Sequence, residues 1–188
     1  MQHRWILTGG MASGKSKVRE YLAEAGIATI DADSIGHFVV HSEGPAFAQV
    51  VERWPHVVRD GEIDRPTLAS IVFNEPGELA ALEGITHPHI FEVIKSRVDE
   101  VDGTVVVEMP LLSHGLGDEW RRIVVDCRDD IRLTRAIERG LSEPDARARM
   151  ASQPTRPEWL AAADVVVPNH GSLGDLEQVV GKLTGALG

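Results

Sequence analysis

Eight residues near the start of the chain, Gly9-Gly10-Met11-Ala12-Ser13-Gly14-Lys15-Ser16, follow the pattern glycine, four residues, glycine, lysine, serine or threonine. An apolar run, Trp5-Ile6-Leu7, precedes them and a helix-like stretch from Lys17 to Ala25 follows. Strand, glycine-rich turn and helix in that order make a P-loop. The spacing has a physical cause: consecutive backbone N–H groups must curl round a phosphate as an anion-binding nest, and side chains at Gly9 or Gly14 would crowd it. In such a loop Lys15 reaches the β- and γ-phosphates, Ser16 ligates Mg²⁺, and the helix directs its positive end at the same anion. The alternative is a glycine-rich turn between strand and helix with no ligand.

The rest of the chain reads as βα units. Short β-rich runs at Arg4 to Thr8, Ile27 to Asp31, Thr104 to Glu108, Arg122 to Asp126 and Asp164 to Val167 alternate with helical patterns. This predicts an α/β fold with a five-stranded parallel sheet flanked by helices. The triplets Val105-Val106-Val107, Ile123-Val124-Val125 and Val165-Val166-Val167 are unbroken, as expected of central strands buried on both faces. Ligands bind such sheets beyond the carboxyl ends of the strands. The segments to weigh are therefore the P-loop, Asp31-Ala32-Asp33, Glu108 to Leu112, Asp126-Cys127, and Pro168 to Gly171.

About seventy residues separate the second and third strands, far more than one crossover helix needs. Helices are expected at Ser42 to Trp54, Arg65 to Phe73, Glu75 to Gly84 and His87 to Val101, with Pro66 and Pro76 in first turns and Arg59-Asp60-Gly61-Glu62 as a turn. Past the fourth strand, helices are expected at Asp129 to Arg139, Ser142 to about Gln153, Arg156 to Ala163, and Leu173 to Leu187. The expected organisation is one domain over 1–188, with its core at 1–41, 102–139 and 163–188. A helical insertion occupies about 42–101 and a mobile lid about 140–162. The insertion either holds a second substrate or is a structural elaboration.

Charge narrows the partners. A net charge of -10 argues against a protein that coats nucleic acid, yet a few focused cations can still bind a small anion. Arg128, Arg132, Arg135, Arg139, Arg147 and Arg149 reverse the sign locally. They form either a solvated face with pairs such as Glu143 with Arg147, or a lid that clamps phosphate. No apolar run approaches the ~20 residues that span a membrane, and the start of the chain lacks a signal peptide's apolar region. Cys127 is the only cysteine, which agrees with a reducing compartment. The expectation is a cytoplasmic protein, a monomer or small homo-oligomer, acting on small molecules with no nucleic acid or membrane partner. The histidines show no metal-ligand spacing beyond His87-Pro88-His89, so Mg²⁺ is expected only with the nucleotide.

Asp31 ends the second apolar run and Asp33 starts the helix after it. Asp33 either caps that helix or accepts the proton of a hydroxyl that attacks a γ-phosphate, a base that mainly orients its nucleophile.

Leu7-Thr8-Gly9-Gly10, Asp31-Ala32-Asp33-Ser34-Ile35-Gly36-His37, His87-Pro88-His89-Ile90, Pro110-Leu111-Leu112, Arg149 with Gln153, and Ala163 to Gly171 occur in an order and spacing that resembles the dephospho-CoA kinase family. The resemblance implies a P-loop kinase fold with a helical substrate insertion and a lid. It also implies transfer of the ATP γ-phosphoryl group to the ribose 3′-hydroxyl of dephospho-CoA. Carried over by position, it makes Gly9, Gly10, Met11, Ala12, Ser13, Gly14, Lys15 and Ser16 the ATP cradle, Ser16 the Mg²⁺ ligand, Asp33 the base, and Lys15 and Arg135 the catalytic cations. It places Thr8, His37, His87, Pro110 and Leu111 near the acceptor, Asn169 and Gly171 near adenine, and Arg139, Arg147 and Arg149 on the lid; His37 and His87 equally suit capping or core roles. The chain departs from the family at Ala12, where glycine is usual, at Lys17, at Ser113-His114 after Pro-Leu-Leu, and at Arg139-Gly140, one residue short of the usual Arg-Asp-Gly. The alternatives are another small-molecule or nucleoside monophosphate kinase on the same fold, and an ATP-binding regulator without turnover.

Overall fold

The structure, a computed structural model, describes residues 2–75, 77–112, 115–117 and 119–187. In chain order its elements are β1 (His3–Thr8), α1 (Lys15–Glu24), β2 (Ala28–Asp31), α2 (Ala32–Val39), α3 (Phe47–Arg53), a single 3₁₀ turn (Pro55–Val57), β3 (Val58–Arg59) and β4 (Glu62–Ile63). Then come α4 (Arg65–Asn74), α5 (Glu78–Asp99), β5 (Thr104–Glu108), β6 (Arg121–Asp126), α6 (Asp129–Glu138), α7 (Glu143–Ala151), α8 (Arg156–Ala161), β7 (Val165–Pro168) and α9 (Leu173–Thr184). They divide into two compact units, residues up to 31 with those from 100 onward, and residues 32–99.

In the first unit the strands pair in parallel in the order β2-β5-β1-β6-β7. Helices stand in the connections from β1 to β2, β2 to β5 and β6 to β7, while β5 runs to β6 without one among the described residues. One face of the sheet presents Trp5, Leu7, Val106, Ile123, Val125 and Val167 to Val18 and Leu22 of α1 and to Leu176, Val180 and Leu183 of α9. The amphipathic face of the last helix thus closes the core, and the Trp5 indole N–H donates to the Leu187 carbonyl at 3.2 Å. The triplets of β5 and β6 are buried throughout, but that of β7 is not: Val166 is 42% exposed. Among the described residues β7 is an edge strand, paired only with β6, and an apolar triplet alone does not tell an edge from a centre.

The second unit is helical, with its own core of Val50, Trp54, Val57, Ile63, Leu68 and Val72. α2 packs against α5 here, so the division falls at 31/32 and 99/100, whereas the sequence placed it near 41/42 and 101/102. α3 starts at Phe47 and not at Ser42, because the Ala46 N–H bonds back to the Val39 carbonyl. A Cβ at Gly44 would lie 2.2 Å from the Phe38 carbonyl oxygen. The turn signal at residues 59–62 is a hairpin between β3 and β4. Asp60 and Gly61 both have positive φ, +50° and +83°, as a two-residue hairpin turn of strands with right-handed twist demands. The helices expected at Glu75 to Gly84 and His87 to Val101 are one continuous α5 with Pro88 inside it; Pro76 lies outside the described residues. Pro88 forfeits its bond to the Gly84 carbonyl, yet burial of Thr86, Ile94 and Val98 carries the helix through.

Candidate active site

β1 is the middle strand of the sheet, between β5 and β6, and its carboxyl end leads directly into residues 9–16. Gly14 has φ +101°, and a Cβ there would lie 2.2 Å from Asn169 Nδ2. At Gly10 the constraint is space alone, since a Cβ would sit 2.2 Å from Arg132 Nη2. α1 then begins at Lys15 with no acidic residue in its first turn, which leaves its positive end available to an anion. Ser13 is buried, and its hydroxyl has no hydrogen-bond partner among the described residues. Lys15 Nζ donates to the carbonyls of Gly9 at 2.9 Å and Gly10 at 3.4 Å, which folds the ammonium over the loop.

Three oxygen-bearing side chains gather at one edge of this loop. Strand pairing sets Glu108 beside both Leu7 and Asp31, at the carboxyl ends of β5, β1 and β2. Glu108 is buried; it accepts from the Ser16 hydroxyl at 3.0 Å and from Arg19 Nε at 2.7 Å. Arg19 reaches Asp31 as well, at 3.4 Å. A hydroxyl and carboxylates are the hard donors that suit Mg²⁺, so the set fits an ion that arrives with a nucleotide. Among the described residues no group of three or more His, Cys, Asp or Glu side chains is arranged to hold a metal. Thr8, fully buried, donates to the Leu111 carbonyl at 3.2 Å, and so tethers the exposed Pro110-Leu111 stretch beside the loop.

The opposite flank of the loop is held from α6 and from the segment after α7. Arg132, buried on α6, donates to the Met11 carbonyl at 2.9 Å, to Asp129 at 2.8 Å and to the Gln153 side-chain oxygen at 3.0 Å. That same oxygen accepts the Met11 N–H at 2.8 Å. One helical turn on, Arg135 reaches Asn169 Oδ1 at 3.4 Å and the Cys127 sulfur at 3.5 Å. The other end of the Asn169 amide donates to the Ser13 carbonyl at 2.7 Å. Cys127 is a small buried residue whose thiol is pushed up by burial, an effect that nearby Arg135 and Arg132 oppose. Asp126, buried at the end of β6, takes a bidentate pair from Arg156 of α8 at 2.7 and 2.8 Å. His170 lies 3.3 Å from the same carboxylate. The Arg156 guanidinium holds the Asp126 carboxyl below the usual carboxylate range.

The remaining arginines separate by environment. Arg147 pairs with Glu143 one turn back and Arg128 with Asp130, both on the surface. Arg139 and Arg149 are exposed, as is Gly171. In the second unit Asp33 is an exposed acidic residue in the first turn of α2, where it complements the helix's positive end. His37, one turn later, is hydrogen-bonded to Arg65. Both line a pocket of about 280 Å³ whose walls include Val40, Leu68, Leu82 and Ile90. His87 is half-buried on α5, its ring 5.8 Å from that of Phe91. Ser113 and His114 lie outside the described residues.

The family model for dephospho-CoA kinase matches residues 5–175. The chain belongs to the dephospho-CoA kinase family. A dephospho-CoA kinase of Streptomyces avermitilis is 44% identical over 186 residues, which span 94% of this chain and 90% of that one. A Thermus thermophilus protein of known crystal structure superposes with TM-score 0.85 at 30% identity, over 99% of each chain. The dephospho-CoA kinase from Campylobacter jejuni does so with TM-score 0.75 at 28% identity, over 100% of this chain and 98% of that one. The five-stranded parallel architecture is therefore that of the dephospho-CoA kinase family.

Within that family frame, the sequence singles out Lys15, Ser16, Asp33 and Arg135 and marks Glu108 and Asp126 only as strand ends to weigh, with no role, while Arg19 and Arg156 go unmarked. Glu108 and Asp126 each close an apolar strand, the position from which ligands are reached, and that signal was in view. Their arginine partners were not, since Arg19 lies 89 residues and Arg156 lies 30 residues from the acid it pairs with.

Proposed function

We propose that this protein transfers the γ-phosphoryl group of ATP to the ribose 3′-hydroxyl of dephospho-CoA, giving coenzyme A and ADP, in the cytoplasm. The observation that carries the reading is the P-loop with its Ser16–Glu108 pair, in a chain of this family. Residues 9–16 cradle the triphosphate through backbone N–H groups, and Lys15 leaves the Gly9 carbonyl for the β- and γ-phosphates. Ser16, with Glu108 and Asp31 around it, would hold Mg²⁺, which when bound screens phosphate charge and orients the γ-phosphoryl. Asp33 takes the proton of the 3′-hydroxyl as its oxygen bonds to the γ-phosphorus and the bond to the β-bridging oxygen breaks. In a loose transition state its main work is to orient that hydroxyl. Arg135 neutralises charge on the moving phosphoryl, and residues 140–162, with Arg139, Arg147 and Arg149, close over it as a lid. Residues 42–101 hold the acceptor with His37, His87, Thr8, Pro110 and Leu111, and the apolar pocket beside His37 suits the acceptor's uncharged arm. Asn169 and Gly171 lie on the adenine side.

The test is ADP release from Mg-ATP with dephospho-CoA, run beside an ATP-only control and Asp33→Asn, with the acceptor product weighed for one added phosphate. Acceptor-dependent turnover that falls by about 10²-fold or more in Asp33→Asn is expected. ATP binding without phosphorylation of dephospho-CoA would overturn the reading.

A further inference from the structure

Ala12 sits in the P-loop with φ +60°, a left-handed conformation that a residue with a Cβ adopts only when its surroundings over-determine it. Those surroundings can be named. On one side, both backbone groups of Met11 are engaged: the N–H by Gln153 at 2.8 Å and the carbonyl by Arg132 at 2.9 Å. On the other, the Ser13 carbonyl accepts from Asn169 at 2.7 Å, and Asn169 is anchored through its own N–H to the Asp126 carbonyl at 2.8 Å. The Ala12 methyl packs with Ala136 of α6 and Ala146 of α7, which offsets part of the strain by burial. Gln153 is the common point, because its one oxygen serves both Met11 and Arg132. It lies just past α7, so the segment between α6 and α8 and the loop are joined through it.

We infer that Gln153 is a positioning residue for the nucleotide: with Arg132 it holds the loop on the Met11 side of Ala12 in the form that receives the phosphates. The role rests on ATP being the donor. Asn169 acts in the same way from the β6 side, since both ends of its amide are occupied by Ser13 and Arg135. Gln153 touches no reacting atom. It acts on ATP through the backbone of Met11.

The experiment measures the Mg-ATP dissociation constant by calorimetry, and kcat and KM for each substrate, in the wild type, Gln153→Met, Gln153→Glu, and Gln153→Met combined with Ala12→Gly. Methionine keeps the side-chain length but leaves the Met11 N–H without its acceptor, so the Kd and KM for ATP should rise about tenfold. The KM for the acceptor should stay within about twofold, since no contact to it is altered. Glutamate keeps an oxygen for both Met11 and Arg132 and should recover ATP affinity to within about threefold of wild type. In the Ala12→Gly background, the Gln153→Met change should raise the Kd only about threefold or less, because glycine takes a positive φ without strain. The inference is overturned by unchanged ATP affinity in Gln153→Met, by equal losses for both substrates, by no recovery with glutamate, or by the same loss with either residue at position 12. A wild type that binds Mg-ATP but phosphorylates no dephospho-CoA would overturn the function proposed above and leave the ATP arms of this test intact.

Discussion

Glu108→Gln separates two duties that converge on one buried carboxylate. The change keeps shape and removes charge. Glu108 accepts a bond from the Ser16 hydroxyl at 3.0 Å and a charged one from Arg19 at 2.7 Å. An amide oxygen turned to Ser16 preserves the first and points N–H groups at the guanidinium, so the second is lost. A hydrogen bond to a charged group is worth about 1.5–3 kcal/mol, but Arg19 is 26% exposed and keeps Asp31 at 3.4 Å. Water and Asp31 recover part of the loss, which leaves a destabilisation of about 1–2 kcal/mol and a melting temperature lower by roughly 2–8 °C for a chain this long.

The functional effect runs through Ser16. A ligating hydroxyl is oriented by what accepts its hydrogen, and altering such a partner commonly costs about 10–100-fold in metal affinity or activity. ADP release with dephospho-CoA, titrated with Mg²⁺ at fixed ATP, should therefore show half-saturation at about tenfold more Mg²⁺ in Glu108→Gln. A scanning thermal melt of the same samples reads the stability effect apart from the metal. A variant that melts lower but keeps the wild-type Mg²⁺ dependence would refute the metal role and leave Glu108 as the partner of Arg19 alone. An unchanged melt would refute the ion-pair reasoning.

Two further outcomes follow from the arginines. The Asp126 carboxyl is held low in the folded protein, chiefly by the Arg156 hydrogen bonds, so its stabilisation is present above the unfolded carboxylate pKa of about 3.9 and is lost as pH falls below it. Thermal melts from neutral pH down to about 3 should show wild type above Asp126→Asn at neutral pH and the gap closing below about pH 4; a gap constant with pH would refute the pair. Arg135→Ala should lower kcat by about 10³-fold if it meets the moving phosphoryl, whereas Arg128→Ala, which releases Asp130 on the surface, should leave kcat within about twofold.

What the sequence made legible is what local pattern encodes. The strand runs of β1, β5 and β6 and the loop motif are readable because a buried parallel strand needs an unbroken apolar run and a phosphate nest needs glycine at fixed offsets. The failures mark the limits of the same logic. Gly84 and Pro88 read as punctuation in α5, yet packing on α2, α3 and α4 outweighed the missing hydrogen bond. The helix expected from Ser42 begins only at Phe47, since Gly44 is where the chain passes close over the end of α2. Val165 to Val167 read as central because periodicity reports what a strand can bury and not whether a second sheet neighbour covers it.

The six arginines show why the site itself was only half readable. All lie in or at the ends of helical stretches, and four of them, Arg128, Arg132, Arg135 and Arg139, recur at spacings of three and four, so pattern alone makes them equivalent. Distance makes them unlike: Arg128 and Arg147 meet acids on the surface, Arg132 is buried beneath the loop, and Arg135 lies beside Asn169. A solvated face and a phosphate clamp are then not rival descriptions of one cluster, because different members occupy different environments. The arginine spent inward is the informative one. A buried guanidinium needs partners for its N–H groups, and the partners of Arg132 are Asp129, Gln153 and the Met11 carbonyl, so the cost of burying that charge is met by bonds that fix the phosphate loop. The local excess of positive charge in an acidic chain therefore has a component that braces residues 9–16 from within, and a charge count along the sequence cannot separate that component from the arginines that face outward.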